Sequence, residues 1–129
     1  MINNTKKILL VEDNVINQKV ASYTLKNLGF NYKIANNGRI AFELYKEEPF
    51  DIILMDIQMP EMDGIEATQA IRAYEADINL KPGVTIIALT ANAIKEAIDE
   101  YLKKGMNGFL PKPFKPEELL RLINTLSNE

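Results

Sequence analysis

The sequence predicts an α/β fold in which helices cover both faces of a doubly wound, parallel five-stranded sheet. Short apolar runs of strand length alternate five times with stretches of helical periodicity, the pattern of a (βα)5 domain. The length of 129 residues suits one domain, and 47% hydrophobic content is enough to fill its core. No repeat, low-complexity tract or linker interrupts the pattern. We therefore expect a single domain over residues 1–129.

The predicted strands and helices follow one another in strict alternation. The first three pairs are Ile8–Val11 with Asn14–Leu28, Tyr32–Ala35 with Arg39–Glu47, and Asp51–Met55 with Ile65–Ala76. The last two pairs are Thr85–Thr90 with Ala93–Lys104, and Gly108–Lys112 with Pro116–Leu126. Helical spacing places Ile94, Ala97, Ile98, Tyr101 and Leu102 on one stripe of the fourth helix, and Leu119, Ile123 and Leu126 on one stripe of the fifth. Gly38 and Gly64 are interpreted as residues that permit turns at helix starts.

The strand order follows from the composition of the strands. The first, third and fourth strands are continuous apolar runs, as expected for strands buried on both faces. The second strand alternates around Tyr32 and Ile34, and the fifth contains Pro111, which lacks a backbone N–H donor and favours a sheet edge. These features predict the order 2-1-3-4-5. In that order the direction of winding reverses between strands one and three, and ligands bind at the carboxyl ends of strands at such a point.

Charged and polar residues follow these strands where they end. Glu12 and Asp13 follow the first strand, Asp56 the third, Thr90 ends the fourth and Lys112 the fifth. Three carboxylates at about 5 Å repel by roughly 3 kcal/mol per pair at an effective dielectric constant of about 20, so they require a cation. Mg²⁺ prefers such oxygen ligands. A carboxylate beside Mg²⁺, an ammonium group and a hydroxyl is suited to accept a phosphoryl group.

Composition excludes several other functions. The chain has no cysteine and no histidine, which removes disulfides, thiolate nucleophiles, imidazole bases and the common zinc sites. A net charge of -3 without a basic block predicts no direct contact with nucleic acid. The first residues do not form an apolar signal segment, and no apolar run reaches membrane-spanning length, so we expect a cytoplasmic domain without membrane contact.

Four segments carry a resemblance to a known family. "ILLVEDN", "DIILMDIQMPEMDG", "ALTANA" and "GFLPKPF" resemble the signature segments of the receiver domain of two-component response regulators. The resemblance implies a flavodoxin-like fold and a switch that accepts a phosphoryl group from a histidine kinase or a histidine phosphotransfer domain. The fifth strand lacks the acidic pair and tyrosine typical of winged-helix transcription-factor receivers. The chain therefore looks most similar to receivers of hybrid sensor histidine kinases.

The resemblance also implies roles for the acidic residues. Asp56 matches the phosphoacceptor, and Asp13 matches a direct Mg²⁺ ligand. Asp56 and the backbone carbonyl group of Gln58 complete the protein ligands of the ion. Glu12 matches the second acid, which holds a water molecule on the metal. Gln58 and Asn92 match positions that tune the loss of the phosphoryl group.

Further roles concern the switch. By resemblance, the hydroxyl of Thr90 turns toward the phosphoryl oxygens and the ammonium group of Lys112 pairs with them. Phe109 matches an aromatic residue that turns inward when Thr90 moves. The bond between Lys112 and Pro113 resembles a cis peptide of the family. The face formed by the fourth helix, fifth strand and fifth helix then signals the change to a downstream protein.

Each of these residues also has an ordinary structural interpretation. Asp13 or Asp56 could cap a helix, Thr90 could be the polar end of a strand, and Lys112 could be solvated at a sheet edge. An aromatic side chain such as Phe109 is more often part of the packing. The presence of all five residues at the expected strand ends favours the functional interpretation.

Four alternative functions remain at this point. The chain could be a receiver fragment of a hybrid sensor histidine kinase, or a docking scaffold that is never phosphorylated. An aspartyl phosphatase would usually have a second aspartate where Gln58 stands, and a flavin or nucleotide site would be repelled by Glu12 and Asp13. As an isolated domain the chain is expected to catalyse only its own phosphorylation and slow dephosphorylation.

Overall fold

The computed structural model, which describes residues 6–59 and 62–127, contains five parallel strands and five alternating helices. The strands are β1 (Lys7–Val11), β2 (Asn31–Ala35), β3 (Ile52–Asp56), β4 (Thr85–Thr90) and β5 (Gly108–Pro111). The helices are α1 (Val15–Asn27), α2 (Gly38–Glu47), α3 (Gly64–Asp77), α4 (Lys95–Lys103) and α5 (Pro116–Ser127). The order and type of all ten predicted elements are confirmed.

The strands are arranged in the order β2-β1-β3-β4-β5, as predicted, with β2 and β5 at the edges. Leu10 of β1 is in register with Ile34 of β2 on one side and Leu54 of β3 on the other. The chain therefore winds away from β1 in both directions. The carboxyl ends of β1 and β3 lie side by side at the point where the winding reverses, and a ligand crevice is expected there.

The core consists of two layers, one on each face of the sheet. Alternate strand residues point to opposite faces. One layer joins Leu9, Val11, Ile53, Met55 and Ile86 to residues of α2, α3 and α4. The other joins Ile8, Leu10, Ile52, Leu54 and Ile87 to residues of α1 and α5. Burial on both faces explains why the central strands are continuous apolar runs in the sequence.

Three of the helices begin at a side-chain cap, and α4 does not. The side chains of Asn14 and Asn37 accept hydrogen bonds at the starts of α1 and α2, and Asp63 forms a capping box with Glu66 at the start of α3. The residue that precedes α4 is Ile94, which provides no side-chain hydrogen bond. The first turn of α4 therefore lacks the side-chain hydrogen bond that holds the first turns of α1, α2 and α3.

The start and the apolar stripe of α4 differ from the sequence prediction. The helix begins at Lys95 instead of Ala93, because the backbone N–H groups of Asn92 and Ile94 donate to nearby side chains and form a turn. Ile94 and Leu102 are 58% and 45% exposed. The buried stripe of α4 is thus narrower than predicted.

Gly64 is required by a close approach of two backbone segments. A Cβ atom at this position would lie 2.3 Å from the carbonyl oxygen of Asp56. The sequence analysis interpreted Gly64 as a structural residue that permits a turn. Its role is structural, but the reason is this close approach to the backbone of Asp56. The space between α3 and the end of β3 accepts only a hydrogen atom.

We expect Gly64→Ala to lower the free energy of unfolding by about 1–3 kcal/mol, because α3 or the end of β3 must shift to admit the methyl group. Urea-induced unfolding measures this change. Gly108→Ala is the matched control, since the nearest atoms to its Cβ would belong to the side chain of Leu122, at 3.3 Å and beyond, and not to the backbone. Equal unfolding midpoints for the two variants would contradict the packing explanation.

Candidate functional site

The structure brings the strand-end residues together at the carboxyl edge of the sheet. A cavity of about 100 Å³ at this edge is lined by Asp56, Thr90 and Lys112, together with Gln58, Asn92 and Tyr101 among others. Glu12 and Asp13 lie beside it at the end of β1. The prediction that these residues meet at one edge agrees with the structure.

Three acidic residues form a cluster at this edge. Glu12, Asp13 and Asp56 each place a carboxylate oxygen within 4.8 Å of the others. Glu12 and Asp56 are buried, whereas Asp13 is exposed to solvent. Neither Asp13 nor Asp56 caps a helix, because the side chains that cap α1 and α3 are those of Asn14 and Asp63. Their capping interpretation is therefore wrong.

The two carboxylate oxygens of Asp56 have different surroundings. Oδ1 accepts a hydrogen bond from Lys112 Nζ at 2.9 Å and one from the backbone N–H of Gln58 at 3.3 Å. Oδ2 is buried and has no hydrogen-bond partner among the described residues. Buried polar atoms are nearly always paired, so an unpaired carboxylate oxygen indicates a place for a cation or a reacting group.

Lys112 holds the acids together. Its Nζ atom lies 2.9 Å from Asp56 and 3.6 Å from Glu12. Burial lowers the pKa of Lys112. The hydrogen bond to Asp56 and the charges of both acids together raise it by more than burial lowers it, so the pKa lies above the ordinary value. The ammonium group therefore stays protonated at neutral pH.

The surroundings of Glu12 disfavour its charged form, whereas those of Lys112 favour the charged form. Burial and the negative charge of Asp56 raise the pKa of Glu12 above the ordinary value, and the hydrogen bond from the backbone N–H of Asn14 and the charge of Lys112 only partly offset this. The side chains of two residues on α1 support this segment. Asn17 Nδ2 lies 3.5 Å from the Glu12 carboxylate, and Gln18 Nε2 donates to the Glu12 carbonyl oxygen at 2.6 Å. Two negative groups are thus held close together by the fold.

The hydroxyl of Thr90 bonds toward α4 and not toward Asp56. It accepts from the backbone N–H of Asn92 at 2.9 Å and lies 3.0 Å from the carbonyl oxygen of Asn92. Its third neighbour is the hydroxyl of Tyr101 on α4, at 3.0 Å. Thr90 is itself buried.

The remaining predicted positions surround this centre. Phe109 lies on β5 and is 37% exposed, so its side chain is turned outward in this state. The side chain of Gln58 is exposed, while the oxygen of the Asn92 side chain accepts from the backbone N–H of Ile94. The bond between Lys112 and Pro113 is cis, as the resemblance implied.

Sequence reasoning did not assign Tyr101, Asn17 or Gln18 to the site. Tyr101 was placed on the apolar stripe of its helix, and the periodicity that marks a buried face does not indicate what a hydroxyl on that face meets. Asn17 and Gln18 follow the acidic pair by one helical turn. That spacing was the available signal, because it directs side chains of the first turn back toward the strand end.

Membrane insertion has no support from the helices that the structure describes, since none is both long and apolar enough to cross a bilayer.

Comparison with known proteins gives consistent matches. Residues 8–124 match the response regulator receiver domain family. The chain is 48% identical over 122 residues to hybrid signal transduction histidine kinase B of Dictyostelium discoideum, a match that covers 89% of this chain and 6% of that protein. Eight such curated relatives are histidine kinases, and the chain spans 6% to 14% of their length.

Two solved structures resemble the chain over almost its whole length. The receiver domain of the response regulator Ssk1 from Saccharomyces cerevisiae, crystallised with the histidine phosphotransfer protein Ypd1, gives a TM-score of 0.86 at 34% identity, covering 92% of this chain and 86% of that one. The receiver domain of a sensor histidine kinase from Pseudomonas aeruginosa gives 0.81 at 41% identity, covering 95% and 97%. That structure has a magnesium ion coordinated in its active-site cleft.

We expect Glu12→Gln to raise the free energy of unfolding of the metal-free protein at neutral pH, because it removes one of two buried like charges. The pKa of Glu12 is higher in the folded than in the unfolded chain, so wild type gains stability relative to the variant as the pH falls through the folded pKa. The difference between the proteins should vanish below the ordinary value of 4.5.

Urea unfolding in EDTA, from neutral pH down to that value, measures the difference. Glu43→Gln is the control, since this glutamate is exposed and lies on α2. A Glu12→Gln effect that is absent at neutral pH, or that grows on acidification, would show that charge repulsion does not destabilise the site.

Proposed function

Because this chain belongs to the response regulator receiver domain family, we propose that it is a phosphoacceptor switch in a two-component phosphorelay. The observation that carries the proposal is the state of Asp56. One of its carboxylate oxygens is held by Lys112, and the other is buried without a partner among the described residues. A carboxylate with one oxygen anchored and one unpaired is suited to act as a nucleophile at neutral pH.

In the proposed reaction an oxygen of Asp56 attacks the phosphorus atom of a phosphohistidine on a partner protein. A phosphorus–oxygen bond forms, and the phosphorus–nitrogen bond breaks with its electron pair left on the imidazole. Lys112 pairs with the phosphoryl oxygens, and its raised pKa keeps it cationic for this role. The hydroxyl of Thr90 turns to donate to the same oxygens.

The acids at this edge fit a magnesium ion. One carboxylate oxygen of each acid lies within 4.8 Å of the others, all donors are oxygens, and Oδ2 of Asp56 has no partner in the part of the chain that the structure describes. We assign Asp13, Asp56 and the backbone carbonyl group of Gln58 as ligands, with Glu12 as the second acid beside them. When bound, the ion would neutralise charge on the carboxylates and on the incoming phosphoryl group.

The response to phosphorylation is assigned to the face of α4, β5 and α5. Phosphorylation adds negative charge and strong acceptor oxygens next to Thr90, which gives the two states different interaction energies. Phe109, now turned outward, would then occupy the space that Thr90 leaves. Gln58 and Asn92 border the reacting centre, where they would affect how fast water removes the phosphoryl group.

By itself the domain is proposed to carry out self-phosphorylation and slow dephosphorylation, without turnover of other substrates. The curated relatives are whole histidine kinases of which this chain spans a small part. We therefore propose a hybrid histidine kinase as its full-length context, with a histidine kinase or histidine phosphotransfer domain as the donor. The complete set of acids, hydroxyl and ammonium group disfavours a docking scaffold that is never phosphorylated.

The surface for that donor is proposed to be α1 and the adjoining loops. Val15, Ile16, Val20 and Tyr23 of α1 are between 50% and 71% exposed. A groove of about 390 Å³ runs beside them, lined by Val20 and by residues of the loops that follow β4 and β5, and Glu12 and Lys112 contribute to its wall. An apolar groove that reaches the phosphorylation site suits a protein that must deliver a phosphoryl group there.

We expect wild-type protein with Mg²⁺ and acetyl phosphate to gain the mass of one phosphoryl group, and Asp56→Asn to gain none, because the amide is not a nucleophile. Intact-mass spectrometry measures the gain. Asp99→Asn is the matched control, since this aspartate is exposed on α4. EDTA should abolish uptake. Labelling of Asp56→Asn would disprove the assignment of the phosphoacceptor.

We expect Val20→Glu to slow phosphotransfer from phosphorylated Ypd1 about tenfold, because a charge in an apolar contact weakens docking. Uptake from acetyl phosphate should be unchanged, since this small donor needs no docking surface. Ile78→Glu is the control because Val20 and Ile78 are equally exposed, at 50%. Equal slowing by both variants, or none by Val20→Glu, would count against this surface.

A further inference from the structure

We propose that Tyr101 is a positioning residue whose hydroxyl holds the hydroxyl of Thr90 on the α4 side of the site. In this position Thr90 is unavailable to a phosphoryl group, so Tyr101 lowers the affinity of the resting site for that group. The inference rests on the proposed function and adds to it a residue on α4 that resists activation.

The first observation is that the hydrogen-bonding capacity of Thr90 is already used. A threonine hydroxyl has one proton to donate and two lone pairs. Its oxygen accepts from the backbone N–H of Asn92, and its proton goes to the carbonyl oxygen of Asn92 or to Tyr101. In the first arrangement Tyr101 donates to Thr90; in the second, Tyr101 donates to Asn92. In both, Thr90 has no proton left for Asp56.

The second observation is the location of Tyr101. Its side chain is 6% exposed, and it lines the same small cavity as Asp56, Thr90 and Lys112. The hydroxyl therefore lies in the site and away from bulk water, where the loss of a hydrogen bond is not readily replaced by solvent. A phenylalanine at this position would keep the packing and leave out only the interaction with Thr90 and Asn92.

Asn92 and Tyr101 compete with the phosphoryl group for the hydroxyl of Thr90. To donate to a phosphoryl oxygen, the hydroxyl of Thr90 must give up its bonds to Asn92 and Tyr101. Removing the Tyr101 hydroxyl removes part of that cost, so the activated arrangement becomes easier to reach. Because Tyr101 lies on α4, movement of Thr90 also releases this helix from the site.

The experiment is a titration with beryllium fluoride, a stable mimic of a phosphoryl group, in the presence of Mg²⁺, followed by ¹H–¹⁵N NMR. We expect Tyr101→Phe to bind the mimic about fivefold more tightly than wild type, the equivalent of one ordinary hydrogen bond. Tyr45→Phe is the matched control, because Tyr45 also has a buried hydroxyl but donates it to Glu75, in a separate cluster. Its affinity should equal that of wild type.

A double-mutant cycle distinguishes positioning from a general structural effect. The gain from Tyr101→Phe should disappear in a Thr90→Ala background, where no hydroxyl remains to be held. It should persist in a Thr90→Ser background, which keeps the hydroxyl. A gain that survives in Thr90→Ala would overturn the inference, because Tyr101 would then act on the site by another route.

The remaining outcomes separate this inference from the proposed function. If wild type fails to bind the mimic with Mg²⁺, the phosphoacceptor function itself is wrong and the inference falls with it. If wild type binds and Tyr101→Phe binds equally or more weakly, the phosphoacceptor function stands and the role of Tyr101 is disproved.

Discussion

The ion pair between Lys112 and Asp56 is the interaction on which the rest of the site depends. It joins the ends of β3 and β5 across the intervening β4, at 2.9 Å. Without the ammonium group, the buried carboxylates of Glu12 and Asp56 would face each other with only hydrogen-bond donors to offset their repulsion. The cation also fixes which oxygen of Asp56 remains unpaired. One contact thus makes the acid cluster compatible with a folded protein and orients its nucleophile.

The sheet supplies the rigid frame that such a pair needs. Residues before the strand ends are buried in both layers, so the backbone at Val11, Met55 and Leu89 cannot move without disturbing the core. The side chains of the next residues, Glu12, Asp56 and Thr90, are therefore attached to a backbone that is fixed in place. At the other end of the domain, buried Glu75 accepts from Tyr45, Arg72 and the backbone of Val84. That carboxylate has partners for both its oxygens, in contrast to Asp56.

Much of the fold and of the site could be predicted from the sequence, because both follow from local patterns. Continuous apolar runs identified the central strands, and parallel strands bring their carboxyl ends to one edge, which placed Asp56 and Lys112 together. The start of α4 was missed because the side chains of Thr90 and Asn92 accept backbone N–H groups that helix periodicity does not take into account. The contact of Tyr101 was missed since it depends on where α4 packs, and the outward turn of Phe109 is a choice of side-chain conformer.

The missing cap of α4 has a mechanical consequence. Helix α3 is fixed at both ends, by the tight approach at Gly64 and by the cluster around Glu75, and its 14 residues span about 21 Å. We therefore expect α3 to stay in place relative to the sheet. Helix α4 has no side-chain cap at its start, and its inward link to the site is the hydroxyl of Tyr101. We therefore expect a small displacement of Thr90 at the sheet edge to move α4 more readily than α3.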